Sequence, residues 1–323
     1  MINTSIKVYV SDSLDPFYNL AVENWLFRNV YDGVPILYLW RNKSSVIIGR
    51  SQNPWRECNI NFLDKEKIPI IRRQSGGGAV YHDMGNLNYT FISTFKSHKK
   101  ESYLSVILEI LKAFKINATI SSRLDIMVKF KNYNYKISGS AFRMIKDNFF
   151  HHGTLMVDVN TEKLYDSLHH EIKKNITSSG VKSKRFKVIN LKEINPEISI
   201  NKILSLILKN NKDIVKISDS LTHHIILKEK EKLSSFNWIF AKTIPFFQDF
   251  RILEDDLRIK IKNGRMVNLY TQSNKFKNLY FWIKKENPLY CKTSLGKVLT
   301  PLSLSESLLL KKMITDIPRV IGF

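Results

Sequence analysis

Apolar and polar positions alternate through "SIKVYVSD", the pattern of a strand, and the period then changes in "LDPFYNLAVENWLFRNV". There Asp15 stands as a helix cap, Pro16 takes the first helical position, and Phe17, Leu20 and Ala21 open an apolar face. "PILYLW" and "SVIIGR" read as two strands joined by the turn-like "RNKS", and "IPIIRRQ" as another. In "LNYTFISTF", Leu87, Tyr89 and Phe91 share one face while Asn88 and Thr90 share the other, which predicts a half-buried strand. Residues 101–116 place Leu104, Ile107, Leu108, Leu111 and Phe114 on one helical stripe. "DIMVKF", "YKISGS" and "HHGTLMVDV" predict three more strands, and "KLYDSLHHEI" a short helix. The basic, glycine-broken "NITSSGVKSKRFKVINL" predicts a surface loop. Two helical stretches follow between 199 and 233. The aromatic "SSFNWIFAKTIPFF", punctuated by Pro245, leads into "RILEDDLRIKIKNGRMVNLYTQ", the pattern of a hairpin, with strand and helix patterns beyond.

A chain of 323 residues is long for one domain and comfortable for two. The expected division is a large domain over 1–247 and a small α+β module over 248–323. A hydrophobic content of 43% suits a globular protein with a sizeable core. No apolar run approaches the roughly 18 residues of a membrane helix. The opening "MINTSIKVYVSDS" has neither an apolar signal core nor a small-residue cleavage site, so a cytoplasmic protein is expected. Cys58 and Cys291 match no metal or redox spacing and read as two reduced thiols.

Charge changes the picture more. Fifty-one basic against 29 acidic residues give a formal +22. Such an excess suits nucleic acid, an acidic partner or a polyanionic substrate, and it equally suits a generally basic surface. Lysines far outnumber arginines and are spread along the chain, which argues against dedicated base or phosphate readout.

The chemistry concentrates in three places. The first is "RRQSGGGAVYHDMGN", where Gly76, Gly77 and Gly78 are three of only 12 glycines. Consecutive glycine amides can form a concave nest for phosphate oxygens, or merely a flexible turn. Arg72 and Arg73 at the strand end face opposite ways, so one of them can face the loop and clamp a phosphate. Neither a P-loop GK[ST] nor a dinucleotide GxGxxG is present. The second is "DIMVKFKNYNYKISGSAFR", carrying Asp125, Lys136, Ser138, Gly139 and Arg143. Taken alone, Lys136 is an ordinary surface lysine. The third is "FHHGTLMVD": His151 and His152 point to opposite faces of a strand, so they do not share a metal, and one is expected in the core and one outside.

In this order, RRxSGGGAVYHDxGN, then D-x-x-V, then KISGSAxR, then HHGTLMVD, the motifs resemble the lipoate–protein ligase A family. "SDSLDPFYNLAVE", "LYLWRNKSSVIIGRSQNPWRECN", "GVKSKRFKVINL" and the "FNWIF" anchor look like that family too. The resemblance is strong over residues 7–192 and looser through the C-terminal third. It implies an α+β fold, a mixed, largely antiparallel sheet with flanking helices as in biotin protein ligases and class II synthetases, plus a small C-terminal α+β domain. It implies activation of lipoate by ATP, with Mg²⁺ as co-ion, to lipoyl-AMP, and transfer to a lysine of an acceptor domain. Lys136 takes the catalytic position and meets both lipoate and nucleotide. Arg73 with Gly78, Ala79, Val80 and Tyr81 matches the ATP-binding stretch, in a loop that also holds Ser75, Gly76 and Gly77. Asp125 is expected to orient the lysine or bind Mg²⁺, His82 and Asp83 to steady the loop, His152 to lie near the adenylate, and Arg143 to meet phosphate or acceptor. Arg72, Ser138 and Gly139 are supporting positions. Gln74 and Phe142 depart from the family pattern without touching a residue these roles need.

The acceptors implied are lipoyl domains of 2-oxo-acid dehydrogenase acyltransferase subunits and the glycine-cleavage H protein, served by a monomer with no nucleic acid or membrane partner. Lipoate and octanoate both fit the motifs. An octanoyl transferase would use a cysteine nucleophile, and neither Cys58 nor Cys291 stands in its position. A biotin ligase would carry a GRGRxG-type loop in place of the triglycine segment. A basic nucleic-acid-binding protein, the remaining alternative, would show clustered arginines with interleaved aromatics, which are absent here.

Overall fold

The computed structural model describes residues 6–94, 100–209, 211–218, 223–296, 302–315 and 317. Residues 1–5, part of the stretch read for a leader, lie outside them. The first strands are β1 (Lys7–Ser11), β2 (Ile36–Trp40), β3 (Ser45–Ile48), β4 (Ile70–Arg72), β5 (Val80–His82) and β6 (Asn86–Thr94). Next come β7 (Ala118–Ile120), β8 (Ile126–Phe130), β9 (Tyr133–Ser138), β10 (Ser140–Ile145) and β11 (Asn148–Met156). The rest are β12 (Ile176–Thr177), β13 (Ile214–Ile217), β14 (Phe246–Ile252), β15 (Asp255–Lys262) and β16 (Arg265–Tyr270).

The main sheet has the order β10-β11-β6-β2-β1-β13. Its first four strands pair antiparallel, while β1 runs parallel to both β2 and β13. Leu87, Tyr89 and Phe91 of β6 face a core shared with Leu104, Ile107 and Leu111 of the helix Lys100–Ala113. The other face packs on the helix Pro16–Trp25, where Leu20 and Ala21 join Tyr38, Trp40 and Phe150. Asp15 Oδ1 caps that helix, accepting from the amides of Phe17 (2.8 Å) and Tyr18 (3.2 Å).

Two small sheets set the site on this frame. In β4-β3-β5, β4 leads into the triglycine loop and β5 leaves it. In β7-β8-β9, β9 carries Lys136. A four-stranded sheet, β12-β14-β15-β16, builds the C-terminal region. Its core runs on into Trp55, which meets Phe240, Phe246 and Tyr290 at ring distances of 5.1, 5.1 and 5.8 Å.

Several expectations meet a different outcome. β2 and β3 are consecutive strands but belong to different sheets. β6 is buried on both faces: on the polar one Thr90 donates to Glu23 of the helix Pro16–Trp25, and Asn88 lines the smaller cavity described below while donating to Trp40 O. Adjacent His151 and His152 are also both buried, since β11 lies inside the sheet with a layer on either side. The helices Ile200–Lys209 and His224–Ser234 enclose an edge strand, β13, too short to show a period. The C-terminal hairpin is a three-stranded meander, and residue 248 lies inside β14. Among the described residues no helix is long and apolar enough to cross a membrane.

Candidate active site

The triglycine loop is held from below by Arg73. Its Nε donates to Ser75 Oγ (2.9 Å) and Gly76 O (3.1 Å), its Nη2 to Gly76 O (2.5 Å) and Gly78 O (2.8 Å), and its Nη1 to Ile47 O (3.1 Å). Burial draws this guanidinium down to about 10, so it stays charged at neutral pH. Gly77 adopts φ +86°, a conformation that a side chain would strain. Beyond the bend, the amide of Ala79 donates to Ser183 Oγ at 2.9 Å.

Lys136 approaches the loop from β9. Its amide donates to Lys187 O (2.9 Å), its Nζ lies 2.9 Å from Asp125 Oδ1, and the Phe186 ring covers the ammonium at 4.7 Å. The amide of Ser140 also donates to Asp125 Oδ1 (3.3 Å). The lysine can bend back this way because residue 139 is glycine: a Cβ there would stand 3.1 Å from Lys136 Cε and 3.2 Å from its Nζ.

Two cavities meet at this point. The smaller, about 130 Å³, and the larger, about 940 Å³, share Ala79, Val80, Lys136, Gly139, Thr154, Ser183, Lys184 and Phe186. In its unshared part the smaller cavity has apolar walls from Leu20, Trp40, Ile47 and Ala141. A buried polar chain stands behind it. Thr90 Oγ1 donates to Glu23 Oε1 (2.6 Å), His152 Nδ1 lies 2.8 Å from the same oxygen, and His152 Nε2 lies 2.9 Å from Ser75 Oγ. The larger cavity is rimmed by Lys174, Lys182, Lys184, Arg185 and Lys187. Glu57 lines it too, but is paired with Arg56 at 2.9 Å, both buried. Arg56 also donates to the carbonyls of Ser178 (3.0 Å), Gly180 (2.8 Å) and Val181 (2.8 Å), which anchors the start of the rim. The site therefore joins a narrow cavity of mixed apolar and polar lining to a wide one with a lysine-rich rim, and Lys136 stands where they meet.

Residues 15–211 match the family of the lipoyl protein ligase A/B catalytic domain. The chain belongs to that family. A lipoate-protein ligase A from Bdellovibrio bacteriovorus is 38% identical over 275 residues, 79% of this chain and 81% of that one. The structure of P. falciparum LipL1 in complex with lipoate superposes with a TM-score of 0.65 at 28% identity, covering 95% of this chain and 98% of that one. A bi-partite lipoate protein ligase from Thermoplasma acidophilum, solved with its E2 lipoyl domain, shares the fold: TM-score 0.61, 20% identity, 73% of this chain and 96% of that one.

In this lipoate ligase family member Arg73, Gly77, Gly78, Ala79, Val80, His82, Asp125, Lys136, Gly139 and His152 all line the smaller cavity, while Tyr81 and Ser138 line the larger. Four other residues stand apart. Gly76 is exposed at the tip of the bend, and Ser75 lies beneath it with His152. Arg143 turns to Asn24 Oδ1 (3.1 Å) and the Phe27 ring. Arg72 faces away from the loop and binds backbone carbonyls. Neither arginine before the loop offers its fork to a ligand from the solvent side, because each is spent on carbonyl oxygens. Sequence reasoning missed Glu23, Trp40, Ser183 and Phe186. The first two look like core positions in a helix and a strand, and the last two sit in a segment whose composition reads only as a surface loop. Cys58 and Cys291 are buried, line neither cavity, and burial pushes the Cys58 thiol well up.

Proposed function

We infer that this protein is a lipoate–protein ligase that activates lipoate with ATP and then acylates a lysine of a lipoyl domain. The observation that carries the reading is Lys136, paired through Nζ with Asp125 at the junction of two cavities beside the triglycine bend, the larger of them rimmed by lysines. In the first step a lipoate carboxylate oxygen bonds to the α-phosphorus of ATP and the α–β phosphoanhydride bond breaks, releasing pyrophosphate. Two anions must approach each other, so a fixed ammonium between them lowers the repulsion and gains strength as charge builds on the phosphoryl oxygens. Asp125 holds that ammonium in place. The smaller cavity takes the acyl chain along its Leu20, Trp40, Ile47 and Ala141 walls, and the lysine-rich rim of the larger takes the triphosphate. In the second step the neutral amine of the acceptor lysine attacks the acyl carbonyl, AMP leaves and an amide forms. Lys136 stabilises the departing phosphate, and orientation of the amine supplies most of the remaining acceleration.

A Mg²⁺ ion fits this site as a companion of the nucleotide. Among the described residues no cluster of three or more His, Cys, Asp or Glu could hold a metal alone, and Asp125 with substrate phosphates is the pattern that Mg²⁺ favours. When bound, the ion neutralises phosphate charge. The acceptors we propose are the lipoyl domains of 2-oxo-acid dehydrogenase acyltransferases and the H protein of glycine cleavage. Neither cysteine can serve the alternative acyl transfer through a thioester.

Lipoate-dependent exchange between ATP and pyrophosphate tests the reading. Lys136→Ala is expected to lower the exchange rate by about 100-fold or more. Unchanged exchange in the variant removes Lys136 from its role, and exchange driven by biotin but not lipoate removes the substrate assignment.

A further inference from the structure

His82 is 3% exposed and lines the smaller cavity, yet its Nε2 has no hydrogen-bond partner among the described residues. Its other nitrogen is occupied, with Asn42 Nδ2 3.1 Å from Nδ1. The direction of that bond follows from a buried amide pair. Asn19 Nδ2 donates to the carbonyls of Ser13 (2.9 Å) and Arg41 (2.8 Å), while Asn19 Oδ1 accepts from Ser11 Oγ (2.7 Å) and Tyr38 Oη (3.1 Å). Asn19 Nδ2 also donates to Asn42 Oδ1 at 3.0 Å, so Asn42 turns its NH₂ towards His82. Nδ1 of His82 therefore accepts, and the ring proton sits on Nε2. Burial, with Arg73 and His152 adding to it, draws the ring down to about 3 and keeps it neutral. The result is a fixed, unsatisfied donor on an enclosure lined by Leu20, Trp40, Ile47 and Ala141 together with polar Arg73, Asn88 and His152.

We propose that His82 is a specificity-determining residue whose Nε2–H donates to a ring sulfur of the lipoyl group and ranks lipoate above octanoate. This rests on the ligase reading above and deepens it. The two acids share a carboxylate and an eight-carbon chain, so Lys136 and the groups around it treat them alike. They differ at the far end, where lipoate carries two sulfur atoms, weak acceptors, and octanoate only C–H. Octanoate leaves the buried donor unpaired, and a pocket built around a polar contact rejects the analogue that lacks it. With so weak an acceptor, the discrimination expected is about three- to tenfold.

Calorimetric titration of the full-length protein with lipoate and with octanoate, without ATP, tests this in wild type, His82→Gln, His82→Asn and His82→Phe. A glutamine can bring its amide nitrogen to the place of Nε2, whereas asparagine stops short of it and phenylalanine has no donor. Wild type and His82→Gln are expected to prefer lipoate by about three- to tenfold, and His82→Asn and His82→Phe to bind the two acids within about twofold. Should the phenylalanine variant fail to fold, the Gln and Asn pair decides the point. A wild-type ratio retained by Asn or Phe, or a wild type that does not discriminate, overturns the proposal. A wild type that binds neither acid instead removes the ligase reading on which it stands.

Discussion

Arg73 and Lys136 are both cations at the triglycine bend, and they do different work because their heads differ. The guanidinium of Arg73 is a planar fork, and it spends its N–H groups on Ser75 and on the carbonyls of Ile47, Gly76 and Gly78. The ammonium of Lys136 is a compact point charge that needs only Asp125 and the Phe186 ring to hold its place, so it can meet a ligand. His82, the neutral member of the group, has a consequence for acid stability. Its folded pKa of about 3 lies below the ordinary 6.5, so between those values the unfolded chain binds the extra proton. The stabilisation is complete above 6.5 and is lost as pH falls towards 3, with a slope of about 1.4 kcal/mol per pH unit from this group. Denaturant unfolding of wild type and His82→Gln across that range should show the wild type losing stability more steeply on acidification. Parallel curves would mean that the ring is not held neutral by the fold.

At the scale of elements, the bend depends on a strand, β4, that is fastened to the chain leaving the catalytic region. Arg72 Nη1 donates to the carbonyls of Arg50 (2.9 Å) and Gln52 (2.7 Å), and Nη2 to Ile239 O (2.6 Å) and Thr243 Oγ1 (2.8 Å). Trp238 Nε1 returns a bond to Arg72 O at 2.6 Å. The side chain is fully buried, and burial draws it down to about 10, so its charge is solvated by peptide dipoles. Arg72→Met keeps the volume but strands several buried carbonyls, and is expected to cost about 3 kcal/mol or more of stability in calorimetric unfolding. A loss below about 1 kcal/mol would show that water replaces the guanidinium without penalty.

Elements with a strong local period, such as the helix capped by Asp15 and the alternating β6, were legible in the sequence. The bend and Lys136 are singled out by the order of the motifs and not by local pattern, since alone the glycines read equally as a turn and the lysine as a surface residue. What escaped was set by partners far along the chain. β13 is a strand because it lies beside β1, and Thr90 and both histidines are buried against partners distant in sequence, Glu23 for both Thr90 and His152, and Ser140 for His151. The segment 178–188 reads as polar loop, yet Arg56, Gln52 and Glu57 fix it against the bend through Gly180, Ser183 and Val181.

Over the whole molecule, part of the formal +22 gathers on the rim of the larger cavity, where Lys174, Lys182, Lys184, Arg185 and Lys187 lie together. A positive field around the mouth draws acidic partners by steering, a long-range effect that salt screens. With preformed lipoyl-AMP, kcat/KM for an isolated lipoyl domain is expected to fall at least about threefold between about 0.05 and 0.5 M salt. A flat salt profile would leave the charge excess without a part in acceptor capture.

Strand β12 has one further consequence. Ile176 and Thr177 are stitched to Gln248 and Phe247, and the chain passes from them directly into the residues that Arg56 grips at the cavity mouth. The C-terminal sheet thus has a hand on the gatepost: a tilt of it would reach, within a handful of peptide units, the lysines that rim the larger cavity.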